Sequence, residues 1–409
     1  MPDTLPRLTP LSAHEQSAKV SQFKQGKRAI LCCEGGGVRG IFTLQILKAF
    51  EEYTGARCID IFDMFAGAST GAIIAGALAY GFSLDDLISL YRSDNREIFK
   101  KTALGWTRLI IPRYSSEPVE RILKGLFADA SLAECRRDIL ITAKDTVRGE
   151  TTYFTAFHGP NDIRGTYQDV RLRDAIAASA ASAPTYFKPF GRFIDGGIGS
   201  YNNVSYVAAV EALRYSARPV PKGRVNDRGE RDPQGRWPVY TYPAADQLYA
   251  PGNLHVLSFG TGRQVLNMEP GEAEDIKTSI GWLHWIIGEG FDDANREQTY
   301  IAHEELDANE HAITFRDYQL NYTDVAVERL RAIDPQLPPG VEGRKLSLDS
   351  VDSFDFLDRL GRAFGTWLKQ DHRFLSSQEF ADPILTQPAK YHIDVYSKQV
   401  KDELRSRVR

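Results

Sequence analysis

Residues 28–71 read RAILCCEGGGVRGIFTLQILKAFEEYTGARCIDIFDMFAGASTG. Arg28–Cys33 is a short apolar run that stops at glycines, the mark of a buried strand. From Gly40 to Tyr53 the apolar residues Ile41, Leu44, Ile46, Leu47 and Phe50 fall at helical spacing. Cys58–Phe65 leads into a second buried strand, Ile61–Ala66 being apolar throughout save Asp63, and Thr70–Tyr80 is a helix of small residues. A strand, a glycine loop and a helix, then the same order again, predicts a sheet covered on both faces.

The rhythm continues outward. Asp138–Ala143 and Thr151–Phe157 are predicted strands, and Leu172–Ala183 is an alanine-rich helix. Arg192–Ile194 runs into Asp195-Gly196-Gly197, Asn203–Tyr215 is helical, and His255–Phe259 is an apolar run closed by Gly260-Thr261-Gly262. Beyond about residue 275 the chain reads as more helix than strand, with a strand at Ala312–Tyr318 and a closing helix at Val351–Leu368. Ile280, Trp282, Leu283, Trp285 and Ile287 form a bulky stripe. It reads as core packing, with a membrane-interface contact as the alternative.

Two segments break the pattern. Residues 1–27 are polar, lack the apolar core of a signal peptide and read as a lead-in. Residues 216–253 are rich in Pro, Gly and Arg, with six basic and three acidic residues between Arg218 and Arg236. This stretch is predicted to be a solvated surface insertion. A mobile lid or a contact to anionic head groups is its functional alternative. The expected organisation is a lead-in over 1–27, a catalytic domain over 28–370 holding the insertion, and a tail over 371–409.

The chain has 409 residues, 42% of them hydrophobic, which suffices for one large domain or two ordinary ones. Its net charge of −4 gives no support to a partner of nucleic-acid polymer type. The cysteines Cys32, Cys33, Cys58 and Cys135 are too few and too irregular for a disulfide framework or a zinc site, and they read as small core residues. A reducing, cytoplasmic setting is expected, with no membrane-spanning segment. No set of residues suggests a metal, and no cofactor is expected.

Three short motifs carry chemistry. Gly67-Ala68-Ser69-Thr70-Gly71 fits G-x-S-x-G between a strand and a helix, the setting in which the serine hydroxyl is presented on a tight turn. Glu34-Gly35-Gly36-Gly37-Val38-Arg39-Gly40 exposes successive backbone N–H groups that can hold an anion. Gly35, Gly37 and Gly40 also satisfy G-x-G-x-x-G, with Asp60 as the acidic residue about 20 positions on, so the loop suits either a dinucleotide pyrophosphate or an oxyanion. A serine turn on the next strand favours the oxyanion, since a dinucleotide protein leaves Gly67–Gly71 without a role.

The third motif is Asp195-Gly196-Gly197 after the apolar Phe193-Ile194. A serine nucleophile needs a base. None of the eight histidines (His14, His158, His255, His284, His303, His311, His372, His392) lies beside a glycine-rich strand end, although His158 precedes Gly159. Asp195, flanked by glycines that let a substrate approach, reads as the base instead. A histidine-containing triad remains the alternative.

Together and in this order, the motifs resemble the patatin-like phospholipase family, which pairs a D-G-G-G-x-R-G loop with G-x-S-x-G and a later D-G-G or D-G-A. Residues 178–189 (ASAASAPTYFKP), 195–203 (DGGIGSYNN) and 256–262 (VLSFGTG) are similar to its later blocks. The resemblance covers residues 28–262, and the one departure is Glu34, where the family usually has Asp.

The resemblance implies an α/β fold, a three-layer α/β/α sandwich, here with a helical C-terminal extension. It implies that Ser69 is the nucleophile, Asp195 the base, and that the N–H groups of Gly35, Gly36 and Gly37 hold the oxyanion. Arg39 is a structural or electrostatic helper, and Gly40, Gly67, Gly71, Gly196 and Gly197 belong to the motifs. The implied activity is hydrolysis of fatty-acyl esters of membrane phospholipids or other acyl lipids through an acyl-enzyme, with peripheral contact at the inner membrane face. Intracellular bacterial relatives act in anti-phage defence and are switched on by cyclic nucleotides, so a cyclic-nucleotide activator is a further implied partner.

Overall fold

The computed structural model describes residues 20, 24, 26–98, 114–158, 163–164, 167–183, 186–198, 201–216, 249–263, 282, 297–302, 306, 313–341, 346–370 and 373–374. Most of the lead-in, the insertion, the tail and the Ile280–Ile287 stripe lie outside them.

An eight-stranded mixed sheet organises the described residues. Its strands are β1 (Arg28–Cys33), β2 (Met64–Gly67), β3 (Asp138–Asp145), β4 (Glu150–His158), β5 (Ile163–Arg164), β6 (Phe193–Asp195), β7 (Leu254–Phe259) and β8 (Ile313–Tyr318). The spatial order is β5-β4-β3-β2-β1-β7-β8, with β6 also paired to β3. β3, β2, β1, β7 and β8 run parallel, while β4 and β6 run antiparallel to β3.

Both faces are apolar because the strand residues alternate between two cores. Leu31, Cys33, Phe65, Ile141 and Phe259 point to one side, Ile30, Cys32, Ala66, Leu140 and Val256 to the other. The first side is covered by helices α1 (Gly40–Thr54), α2 (Thr70–Tyr80), α5 (Leu172–Ala180) and α8 (Phe354–Lys369). The second is covered by α6 (Ser205–Ser216), through Val207, Ala208 and Ala212. Between α2 and α5 in sequence stand α3 (Leu84–Ile98) and α4 (Glu117–Phe127), and α7 (Asp324–Arg331) precedes α8. Helices thus sandwich the sheet, the three layers expected. The closing helix lies against α1, where Gly361 and Gly365, one turn apart, let the two backbones approach over Phe42 and Ala49.

The expected elements form with small shifts. Cys58–Ile61 is one helical turn, so the second strand begins later, at Met64. The alanine-rich helix stops at Ala180 rather than Ala183, and the closing helix starts at Phe354 after a 3-10 turn over Val351–Ser353. The four cysteines are free and buried, as core residues should be.

Register fixes where chemistry can happen. Cys33 pairs with both Gly67 and Phe259, Gly67 pairs with Ile141, and Phe259 with Tyr318. The carboxyl ends of β1, β2, β7 and β8 are therefore level, and the loops leaving them meet along one edge, where open α/β sheets bind ligands.

Candidate active site

The register also places Asp195. β2 ends at Gly67, opposite Ile141 of β3. β3 runs on to Asp145, and β6 pairs with that extension, so that Asp195 faces Ala143, two residues beyond Ile141. The short antiparallel strand thus continues the row that β2 vacates and sets a carboxylate beside the turn following β2. Ser69 Oγ donates a 2.7 Å hydrogen bond to Asp195 Oδ2 across 126 residues of sequence. Asp195 Oδ1 accepts the N–H of Gly197 at 2.8 Å.

Ser69 sits at φ 53° and ψ −127°, outside the regions open to most side chains. Among the described residues only Ser69 and Ala128 are non-glycine residues at positive φ. Such strain persists only where neighbours enforce it. Here the Ser69 N–H is held by Ser179 Oγ of α5 at 2.8 Å, and Gly67 and Gly71 close the turn. A Cβ on Gly71 would lie 2.1 Å from the carbonyl oxygen of Cys33, so any side chain there drives α2 off β1. The residue after Ser69 is tied as well, since Thr70 Oγ1 and the Tyr91 hydroxyl of α3 share a short hydrogen bond beside Gly40.

Asp195 is 5% exposed, and burial pushes its carboxyl up to about 6, against the pull of the Ser69 hydroxyl and the Gly197 N–H. A carboxylate raised into that range takes a proton more readily than an ordinary aspartate while still ionised at neutral pH.

The glycine loop lies next to this pair. A Cβ on Gly35 would come within 2.8 Å of Ser69 Cβ. One of the three expected donors is already engaged, because the Gly35 N–H donates to Asn202 Oδ1 at 3.0 Å and the Asn202 amide donates back to the Gly35 carbonyl at 3.3 Å. The N–H groups of Gly36 and Gly37 have no acceptor among the described residues. Gly37 takes φ +57°, a left-handed conformation that suits glycine, with Leu348 O directly beneath it. Arg39 is buried, donates from Nη1 to Gly262 O at 3.2 Å, and leaves Nε without a partner among the described residues. Gly196 presses on the Thr142 carbonyl, which seats Asp195 against β3.

Ser69, Asp195, Arg39 and the three loop glycines line one cavity of about 270 Å³. Apart from Thr70, Tyr91 and Asn202 its other walls are apolar, and they include Ile73, Leu90, Val119, Leu123, Tyr186 and Phe187 from α2, α3, α4 and the segment after α5. An apolar chamber with a few convergent polar groups at one end suits a hydrocarbon chain carrying a single polar linkage.

Two sequence alternatives lose ground to geometry. Of the histidines, His158 and His255 are described, and both stand at the far ends of their strands. His158 Nδ1 pairs with Asp138, the first residue of β3, at 3.0 Å, and His255 is the second residue of β7. Asp60 lies in the turn that precedes β2, whereas the glycine loop follows the carboxyl end of β1. A nucleotide gripped by the loop therefore has no acidic partner in Asp60.

Sequence reasoning missed the groups that hold the site in shape: Ser179, Asn202, Asn203, Tyr91, Thr261 and Gln319. Thr261 Oγ1 donates to the Gly35 carbonyl at 3.1 Å. Only the resemblance of residues 178–189, 195–203 and 256–262 hinted at any of them.

Residues 31–208 match the family model described as Patatin-like phospholipase, so this stretch is a patatin-like domain. Among curated proteins, the chain is 30% identical over 239 residues to the 85/88 kDa calcium-independent phospholipase A2 of Mus musculus, covering 54% of this chain and 28% of that one. It is 30% identical over 215 residues to the cGAMP-activated phospholipase of Escherichia coli (strain TW11681), covering 48% of this chain and 58% of that one. The chain spans less than two thirds of the length of either relative. Among solved structures, human GIVD cytosolic phospholipase A2 aligns with 87% of this chain and 60% of its own, at TM-score 0.41 and 14% identity.

Proposed function

We propose that the chain is a serine acyl hydrolase that cleaves fatty-acyl esters of phospholipids. The observation that carries this reading is the 2.7 Å bond from Ser69 Oγ to the buried Asp195 carboxylate, at the polar end of an apolar cavity. Asp195 takes the Ser69 proton as Oγ forms a bond to the ester carbonyl carbon. The carbonyl oxygen, now negative, lies against the N–H groups of Gly36 and Gly37, each such donor contributing roughly 3 kcal/mol. The tetrahedral intermediate collapses, the C–O bond to the glycerol oxygen breaks, and Asp195 returns the proton to that leaving oxygen. Water then adds to the acyl-enzyme, giving its proton to Asp195, and the fatty acid departs as Ser69 recovers its hydrogen. The Arg39 guanidinium lines the same cavity as Ser69 and Asp195.

Profiling the lipids of liposomes incubated with the protein tests the substrate class. Free fatty acid and lysophospholipid should accumulate with wild type and not with Ser69→Ala. Unchanged liposome lipids, or equal release by Ser69→Ala, would contradict the reading.

The acidity of Asp195 sets a pH profile. Only the ionised carboxylate can accept the serine proton, so kcat/KM should fall about tenfold per pH unit below about 6 and level off above it. Stopped assays from pH 4 to 8 measure this, and a profile flat to pH 4 would exclude Asp195 as the base.

The likeness to the cGAMP-activated phospholipase of Escherichia coli favours a second, regulatory reading, in which a cyclic nucleotide switches this activity on. Liposome hydrolysis with and without cGAMP decides it, since equal rates remove the switch. No helix of the described residues is long and apolar enough to cross a membrane.

A further inference from the structure

We infer that Glu34 is a positioning residue that sets the glycine loop at its working distance from Ser69 and Asp195, acting through the side-chain amides of Asn203 and Gln319. The inference rests on the hydrolase reading above.

The Glu34 carboxylate is 1% exposed and immediately precedes the three glycines. Its Oε1 accepts Asn203 Nδ2 at 2.9 Å and its Oε2 accepts Gln319 Nε2 at 2.6 Å. Those amides come from opposite sides of the site. Asn203 lies eight residues after Asp195, in the segment that begins with the base. Its neighbour Asn202 grips both the N–H and the carbonyl of Gly35. Asn203 is itself fixed, accepting the Ser205 N–H at 3.0 Å and donating to Thr299 Oγ1 at 2.9 Å. Gln319 follows β8, two strands away from β1, and its Oε1 accepts the Gly262 N–H at 2.6 Å. The Gly262 carbonyl receives Arg39 at the other end of the same loop. Residues 34–39 are thus braced at both ends, on one side to the Asp195 segment and on the other to β8.

Side-chain length matters here. β8 is about 9.5 Å from β1 at ordinary strand spacing, and the Gln319 amide reaches Glu34 by passing over the end of β7. Gly260 leaves that path open, since a Cβ there would lie 2.2 Å from Gln319 Oε1. Aspartate at position 34, one methylene shorter, cannot meet Asn203 and Gln319 together. Glutamate at this position, the one departure from the motif, is matched by glutamine at position 319.

The bonds have a direction that allows a decisive exchange. In Glu34→Gln the new amide faces the Gln319 amide, donor against donor, and Gln319 cannot turn over without losing Gly262. In Gln319→Glu two carboxylates face one another. Joined, the two changes restore these three bonds. The carboxylate introduced at position 319 accepts both the Gly262 N–H and the amide introduced at position 34, whose carbonyl oxygen still accepts Asn203. Steady-state hydrolysis of a fatty-acyl ester and thermal melting are measured for wild type, both single variants and the exchange. Each single variant should lose about tenfold or more in kcat with KM within about twofold, and the exchange should recover kcat to within about threefold of wild type. Wild-type kcat in Glu34→Gln, a loss confined to KM, or an exchanged protein that melts like wild type yet stays as slow as the singles would overturn the inference. If Glu34→Gln does not fold, Glu34→Asp is read instead: a kcat loss of about fivefold or more supports the inference and full kcat overturns it. A wild-type protein without ester hydrolysis would remove the hydrolase reading and this inference with it, whereas an active wild type with indifferent variants removes this inference alone.

Discussion

Asp195→Asn should lose about 10⁴-fold in kcat on a fatty-acyl ester, yet melt no lower than wild type at pH 7.5. The first half follows from chemistry. Asparagine fills the same space and can still meet Ser69 and Gly197, but it cannot take a proton. The second half follows from linkage. Burial raises the Asp195 carboxyl from 3.8 to about 6 in the folded protein, so the folded state holds this proton more tightly than the unfolded chain. The resulting stabilisation is complete below about pH 4 and is lost as pH climbs through about 6. At neutral pH the buried, ionised carboxylate therefore costs on the order of 3 kcal/mol, which asparagine removes. Melting curves at pH 4 and 7.5 check the sign: the advantage of the variant should be visible at 7.5 and vanish at 4. A variant that keeps substantial kcat would show that the proton goes elsewhere. One that unfolds at pH 7.5 would show that the carboxylate is a structural element rather than a strained base.

Gly37→Ala should lower kcat about 10²- to 10³-fold, the usual loss when one oxyanion donor is displaced. Gly37 holds φ +57°, and an added Cβ would stand 2.1 Å from Leu348 O and 3.1 Å from Leu348 Cβ. Val38 donates to that same carbonyl at 2.8 Å, so the methyl group pushes apart the contact that fixes the loop from below. The Gly37 N–H turns away from the carbonyl it should hold, while the Ser69–Asp195 bond is untouched. Gly55→Ala provides the matched control. Gly55 has φ +69° with nothing within 4 Å of a Cβ, so alanine there brings backbone strain of about 1 kcal/mol and a lower melting temperature without a change in kcat. Equal kcat for Gly37→Ala and wild type would remove this N–H from the mechanism.

Local patterns made much of the fold legible, and the limits of that legibility have a physical cause. The runs around Cys32, Ile141 and Leu257 read as buried strands because both faces of each strand contact a core, leaving unbroken apolar stretches. Ser69, Asp195 and the glycine loop were visible because each carries glycines that the site demands, at Gly37 for a left-handed backbone and at Gly71 and Gly196 for the close approach of a neighbouring carbonyl. What could not be read is what joins segments far apart in sequence. That β6 turns antiparallel along β3 and so carries Asp195 to Ser69 depends on β2 ending two residues earlier, and no periodicity encodes it. Ser179, Asn202 and Gln319 are single polar residues in ordinary settings, and their partners lie 110, 167 and 285 residues away. The Gly35 N–H, expected to face the substrate, faces Asn202 for the same reason.

The central claim is that Ser69 Oγ is a nucleophile activated by Asp195, and covalent capture tests it most directly. An alkyl fluorophosphonate, whose fluoride is displaced by an activated serine, is incubated with wild type, Ser69→Ala and Asp195→Asn, and the digested proteins are weighed by mass spectrometry. The account predicts one adduct, on the peptide bearing Ser69, absent from Ser69→Ala and formed far more slowly in Asp195→Asn. An adduct on another residue, or capture at Ser69 that proceeds as fast without the Asp195 carboxylate, would contradict it.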